Sequence, residues 1–425
     1  MIRGFLKTLL WTSSSLCWSA VAWGALPGPG EDSAAAGQTG VAPRYLSNYS
    51  HLVDGVSWAG HLDTELFSNL SGGIKRGASN DTAGQLGLQW DSEKAGMWKG
   101  GQINLSTFAT YSSAEQTDFS GDQQVASNIY APNGIRLYEA NYRQQWTPWL
   151  ATRVGFTDFN LYFDVASNAL QLINSSFGLT PTIAVNVPAA PTYPYSGLGF
   201  IVSTHGSNWS SKAGIFQGDA LHPWSGTFDR GYLALWEGAL HLGQEDGDDP
   251  DDDTETFGQW VFKLGAWHYQ QPRFDEVEDL GPSSSGLYGV VEAHYDVGGV
   301  QLGPFLQWGA STATQNIVPW YLGLGTKISH FVPGRPNDAL SIGFARAGFR
   351  AAALQNALGL EASEDTQDAP TGSRLHSAET AYEITYVAKL NDHVSIQPDL
   401  QYITHPSGIY PNALVGILRL HLEFS

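Results

Sequence analysis

The chain has 425 residues, with 48 Gly, 15 Trp, 18 Tyr, 19 Phe, one Cys, only 15% charged residues and a formal net charge of −20. Charge is sparse beside the roughly 25% of an average soluble domain, and its acidic sign excludes nucleic acid as a partner, since phosphates are neutralised by clustered Lys and Arg. One thiol excludes a cysteine-built metal site or disulfide scaffold, and 42% hydrophobic residues exclude a disordered chain.

At the N-terminus Arg3 and Lys7 precede the apolar, small-residue stretch Thr8–Ala20 and then Ala20-Val21-Ala22. A basic start, a short apolar core and small residues two apart make residues 1–22 a secretory signal peptide. The stretch is shorter than the ~20 residues a spanning helix needs. Cys17 follows Leu16 rather than a lipobox-like pattern, so it leaves with the signal. Residues 23–57 read as a flexible mature N-terminus, Gly/Ala/Pro-rich over 23–44, with a short helix or plug within 45–57. Beyond residue 23 no apolar stretch reaches the ~18 residues of a transmembrane helix. A soluble β protein or a closed membrane barrel remains, because only helices and closed barrels satisfy every backbone group in lipid.

Alternation of apolar and polar residues is the mark of a strand with two unlike faces. It runs through 58–69, 84–92, 101–111, 136–146, 149–157, 195–205, 208–217, 228–240, 256–270, 285–297, 299–310, 318–328 and 338–350. It is cleanest in the last three segments, 380–390, 394–404 and 414–424. There Leu414, Leu418, Leu420 and Leu422 share one face, while Arg419, His421 and Glu423 share the other. Asn391-Asp392-His393 makes a tight turn, and Pro398, lacking a donor, belongs where the ladder is interrupted. About sixteen strands, an even number of roughly ten residues each, fit a transmembrane antiparallel β-barrel covering 58–425. Aromatics near strand ends (Trp146/Trp149, Trp260/Trp267, Trp320/Tyr321) fit the girdles that flank such a barrel. A secreted β-sandwich also alternates, but here the polar faces mix acids with bases and the last strand runs to the chain end, as closure requires.

The longest stretches without alternation, 112–135 and 158–194, are loops of functional size. A third, Gln244–Thr256, is strongly acidic but lacks the Gly of a calcium-binding EF-hand loop; it reads as a solvated extracellular loop. No nucleophile elbow, phosphate loop or metal-spaced His pair appears, so neither a cofactor nor a metal is expected. His294 near Ser283–Ser285 is the one trace of a barrel enzyme.

From Ser71–Ala78 (SGGIKRGA) onward the chain resembles the carbohydrate-selective porins of the OprB type. The resemblance continues through Ala126–Glu139 (ASNIYAPNGIRLYE), Gly155–Val165 (GFTDFNLYFDV), Asn174–Gly178, Pro188–Pro194 and Gly214–Ala220, and closes with Glu379–Thr404 and Asn412–Phe424. It implies an outer-membrane barrel that passes sugars into the periplasm by selective diffusion, surrounded by outer-membrane lipid and lipopolysaccharide. It also implies inward-folded constriction loops at the two long stretches. The chain departs from the family at its end, where Ser425 follows the expected terminal Phe424. A general porin, or one selective for anionic or aromatic solutes, shares the same architecture.

A lumen that passes sugars needs amide or charged groups for hydroxyls and rings for C–H faces, none binding tightly. Arg76 matches the arginine of the family's GGxxRG stretch and is placed at the constriction by that match. Arg143 and Arg153 each alternate with apolar neighbours and so face the lumen, Arg143 together with Glu139 and Asn141. Asp158 and Asp164 flank the GFTDFNLYFDV stretch and anchor or line the constriction loop. Tyr130, Phe177 and Tyr193 are loop aromatics for sugar stacking or for packing the loop itself. On the last strand, parity makes Leu418→Arg costly and Arg419→Ala mild for folding.

Overall fold

The computed structural model describes residues 46, 49–224, 228–243, 260–270, 283–357 and 375–424. The signal segment 1–22, the stretch 23–44 and the acidic segment 244–256 lie outside the described residues. Sixteen long strands form one closed antiparallel barrel. They are β1 Val56–Ser71, β2 Gly77–Asp91, β3 Gly101–Ser112, β4 Gly134–Thr147, β5 Leu150–Thr157, β6 Gly197–His205, β7 Trp209–Gln217 and β8 Tyr232–Leu242. There follow β9 Trp260–Gln270, β10 Ser284–Ala293, β11 Val300–Ser311, β12 Trp320–Ser329, β13 Ala339–Gly348, β14 Ala378–Asn391, β15 Val394–Thr404 and β16 Ala413–Phe424. Each pairs with its sequence neighbours, and β16 closes on β1 from Leu414↔Ser71 to Phe424↔Gly60.

Every strand expected from alternation is present, with three informative differences. β2 begins at Gly77 rather than 84, because its outward residues there, Ala78, Asn80 and Thr82, are small or polar and show no apolar face. The expected segment 285–297 breaks after Ala293 into a separate short strand, Tyr295–Val297, paired with the start of β11. The short helix expected within 45–57 is instead a strand, Ser50–Val53, hairpinned onto Val56–Trp58 beyond the end of β16. Ahead of it, Leu46 reaches the inward-facing Gly87 of β2. On β15, the pairing to β14 skips from Asp399 to Ile396 across Pro398, as its missing N–H requires.

Successive connections alternate between two ends. One end carries the start of β1, the end of β16 and the tightest turns, 148–149, 206–208 and 392–393; that is the periplasmic end of an outer-membrane barrel. Gly243 and Trp260, the nearest described residues on either side of the acidic segment, also stand at this end. At the other end the connections 113–133 and 158–196 fold into the lumen as short turns and helices packed on its wall.

The core is therefore inside the barrel. Phe177, Ile173 and Leu172 of the second inner loop pack on inward Ala345, Ala381, Ile403 and Val415. Ile129, Tyr130, Leu161 and Tyr193 pack on Phe108 and Tyr138, and Phe159, Phe163 and Ile183 on Phe216, Leu233, Trp267 and Tyr288. Two inward glycines allow the flush fit: a Cβ on Gly343 would stand 2.5 Å from the Phe177 ring, and one on Gly309 would stand 2.2 Å from Thr182 Oγ1. Trp267 and Tyr321 are buried against these loops, so they do not belong to the girdles expected of them. Trp146, Trp149, Trp260 and Trp320 are outward and exposed.

Candidate functional site

Folding a polar loop into a barrel strands its backbone N–H groups away from water, and each needs an acceptor. The wall supplies carboxylates. Glu379 of β14 accepts from Gln123 N and Gln124 N at 2.9 Å each and from Ser407 N at 2.7 Å. Glu383, one turn of the pleat along, accepts from Asn174 N at 3.0 Å and from Ile173 N. Glu292 of β10 accepts from Asn168 N at 2.7 Å. Glu237 of β8 accepts from Asp164 N at 2.9 Å and from the Tyr288 hydroxyl at 2.8 Å. Glu65 of β1 accepts from Ser127 Oγ and from Gln116 Nε2 at 3.2 Å, and is held by Arg419 of β16 at 2.8 and 3.0 Å. The Arg419–Glu65 bonds, made between two ionisable groups, are the stronger kind. Much of the acidic excess inside this barrel is therefore occupied in fastening loops.

The loops also fasten themselves. Asp158 accepts from Asn160 N at 2.7 Å, Tyr193 N at 2.9 Å and the Tyr138 hydroxyl at 2.7 Å. Asp164 accepts from Thr180 N at 2.9 Å and Thr180 Oγ1 at 2.7 Å. Burial pushes the Asp164 carboxyl up to about 7, against the lowering effect of the Thr180 bonds. Burial likewise raises Asp122 in the first inner loop.

The opposite wall, β4 and β5, is different in kind. Arg153 of β5 donates to Asn141 Oδ1 and lies over the Tyr162 ring at 4.9 Å. Asn141 in turn donates to Glu139 Oε1 at 3.1 Å and accepts from Asn104 Nδ2 at 3.1 Å. The Tyr162 hydroxyl lies 3.4 Å from the same Glu139 oxygen. Tyr49, from the segment ahead of the barrel, sits among Glu139, Arg153 and Tyr162, its hydroxyl pushed up by burial and then by Glu139. Arg143 faces Arg153 directly across the β4–β5 ladder and donates to Gln145. Nearer the extracellular end, Arg136 donates to Thr110 Oγ1 at 2.8 Å and Pro132 O at 2.9 Å, and lies 4.8 Å over the Tyr195 ring. Arginine over an aromatic face, with amides beside it, offers N–H donors and a flat apolar surface together.

Of the residues singled out from sequence, Glu139, Asn141 and Arg153 form one bonded cluster, with Arg143 beside it. Asp158 and Asp164 are loop anchors. Tyr130, Phe177 and Tyr193 are buried in loop packing; the Tyr193 hydroxyl donates to Ile129 O at 3.0 Å and its ring meets Phe108. Arg76 stands apart, exposed on the β1–β2 turn, and has no hydrogen-bond or ion-pair partner among the described residues. Arg136 escapes a parity reading for a physical reason. Tyr138 is an extra residue opposite the Ser106/Thr107 step, a bulge that reverses the inward phase beyond it. Arg419 was placed correctly on the lumenal face, but its pairing with buried Glu65 overturns the expectation that Arg419→Ala is mild.

The comparisons agree with this architecture. The family model of the carbohydrate-selective porin, OprB family, matches residues 75–424. No curated protein sequence matches the chain. Among solved structures, the high-pH structure of Pseudomonas putida OprB superposes with a TM-score of 0.72 at 18% identity, covering 87% of this chain and 94% of that one. An anion-selective porin from Comamonas acidovorans superposes with a TM-score of 0.52 at 12% identity, covering 87% and 99%. At these identities the superpositions speak for the fold, and the family match speaks for membership. The chain belongs to the OprB family of carbohydrate-selective porins.

Proposed function

We propose that sugars cross this barrel along the β4–β5 wall, with Arg136 and Arg153 as hydroxyl donors, Glu139 and Asn141 as acceptors, and Tyr195 and Tyr162 as ring faces. The observation that carries this reading is the stacking of Arg153 on Tyr162 within a cluster of neutral and acceptor groups. Its guanidinium is buried and oriented by a neutral amide, so a hydroxyl that reaches it replaces one neutral partner by another. Arg76, exposed on the outer turn, acts in this reading at the extracellular mouth. The mature chain, freed of residues 1–22, functions in the outer membrane among its lipids. Liposome swelling with neutral sugars, sugar acids and amino acids, for the wild type and Arg153→Lys, tests the path. Lysine keeps the charge and loses the planar fork. Sugar flux should fall at least threefold while ion conductance stays within about 20%; unchanged sugar flux sinks the assignment. The pairing of Arg143 opposite Arg153 favours one second reading, a preference for anionic sugars; faster entry of sugar acids than of neutral sugars would establish it.

A further inference from the structure

The outer wall carries a feature that transport does not use. Across β13, β14 and β15 the outward side chains fall in registered rows: Ile342–Ile384–Leu400, then Phe344–Tyr382–Tyr402, then Arg346–Thr380–Thr404. Rows two residues apart are about 7 Å apart along the strand. Going outward, the wall thus passes from aliphatic to aromatic to cationic, the order of hydrocarbon, interface and headgroups. Among the described strand residues, Arg346 is the one Asp, Glu, Lys or Arg whose position falls on the outward face. It donates to Thr380 Oγ1 at 3.0 Å, and no described carboxylate forms an ion pair with it. Just beyond, at the strand ends, the His376 and His405 rings stack at 3.6 Å. Burial, then the positive fields of His376 and Arg346, hold the His405 imidazole below its ordinary range, in keeping with the row Arg346–Thr380–Thr404 that ends one residue before His405. Below them lies an apolar groove of about 740 Å³, lined by Leu324, Ile342, Phe344, Ile384, Leu400 and Leu414.

A cation on the lipid face is costly at depth and nearly free at the interface, and there the anions at hand are lipid phosphates. We propose that this face of β12–β16 binds one phosphate-bearing lipid of the outer leaflet, its phosphate on Arg346, His376 and His405 and an acyl chain in the groove. The two parts fit one amphiphile: guanidinium and imidazole N–H groups suit phosphate oxygens, and the groove is predominantly apolar, with the Tyr382 and Tyr402 rings among its lining.

The test is lipid retention by native mass spectrometry of the full detergent-purified barrel, titrated with bis-phosphorylated lipid A. One lipid per chain should be retained by the wild type, about tenfold less by Arg346→Gln and by the double variant His376→Ala/His405→Ala, and an intermediate amount by Arg346→Lys. Heat-modifiable migration on a gel checks that each variant is a closed barrel. Equal retention by wild type and variants, or equal retention of lipid A stripped of phosphate, overturns the proposal. So does displacement of the lipid by millimolar inorganic phosphate, which would indicate a site for the free ion. A change in oligomeric state with lipid retention intact would also overturn it and make the groove a contact between copies of this chain.

Discussion

Two walls of the same lumen use charge in opposite ways. On β8, β10 and β14 the inward glutamates are fully buried and their oxygens are taken by loop backbone donors: Glu237, Glu292, Glu379 and Glu383 each hold a named N–H of an inner loop. On β4 and β5 the inward arginines, of which Arg153 is itself buried close to Glu139, rest on tyrosine rings, and their hydrogen bonds go to neutral partners, the Asn141 amide, the Thr110 hydroxyl and a turn carbonyl. The difference teaches that a charged residue facing a channel is not thereby part of the path. Carboxylates that satisfy stranded donors are structural; guanidiniums with exchangeable partners are the ones a solute can engage.

The largest effect is expected where an anchor is itself an ion pair. Arg419→Ala leaves Glu65 buried without its cation and should destabilise the barrel by about 3–5 kcal/mol, read as the urea midpoint of detergent-folded protein. Its neighbour tests the register: Leu418→Arg, on the lipid face, should cost about 2–4 kcal/mol near the midplane. A harmless Leu418→Arg would mean the faces are exchanged.

Glu383→Ala comes next, since it orphans Ile173 N and Asn174 N at about 1–3 kcal/mol each. The second inner loop should loosen, so single-channel conductance should rise as stability falls. A stable variant with wild-type conductance would show that the carboxylate does not hold the loop.

A smaller effect should follow pH through Asp164. Its folded carboxyl sits at about 7, above the ordinary value, so the folded state holds a proton that the unfolded state has already released between about pH 4 and 7. Stability from this group is greatest at the acidic end of that window and declines as pH rises through 7. The thermal midpoint should therefore fall from pH 5 to pH 8 in the wild type and change less in Asp164→Asn, whose amide oxygen can still accept from Thr180. An equal slope in both proteins would assign the pH dependence to other groups.

The smallest effect belongs to Arg76→Ala. An exposed cation at the mouth should shift ion selectivity modestly towards cations, and screening within about 8 Å at physiological salt should erase the shift at high ionic strength. If Arg76→Ala instead cuts sugar flux as much as Arg153→Lys does, the constriction extends to the β1–β2 turn.

The β4 bulge shows where legibility stopped. Alternation through Glu139, Asn141 and Arg143 correctly places them inward, yet one extra residue at Tyr138 brings Arg136 inward as well, at a position of the opposite parity. Nothing local marks that insertion, because it is fixed by pairing with β3. Loop aromatics show the same limit. Tyr130, Phe177 and Tyr193 are all buried, but whether a ring packs or is presented depends on what the loop folds against.

By itself the sequence determined the barrel architecture, the approximate places of its sixteen long strands, the two inner loops and the faces of β14–β16, because period-2 patterning is a local consequence of a wall between lipid and lumen. Tertiary structure alone decided which acids serve as anchors, that Arg419 is locked to Glu65, that Arg136 joins the lumenal arginines, and that Arg346 stands on the row next to two stacked histidines above a groove. Those outcomes depend on cross-strand register and on loops reaching walls more than a hundred residues away, such as Asn168 to Glu292 and Asn174 to Glu383, distances over which periodicity carries no information.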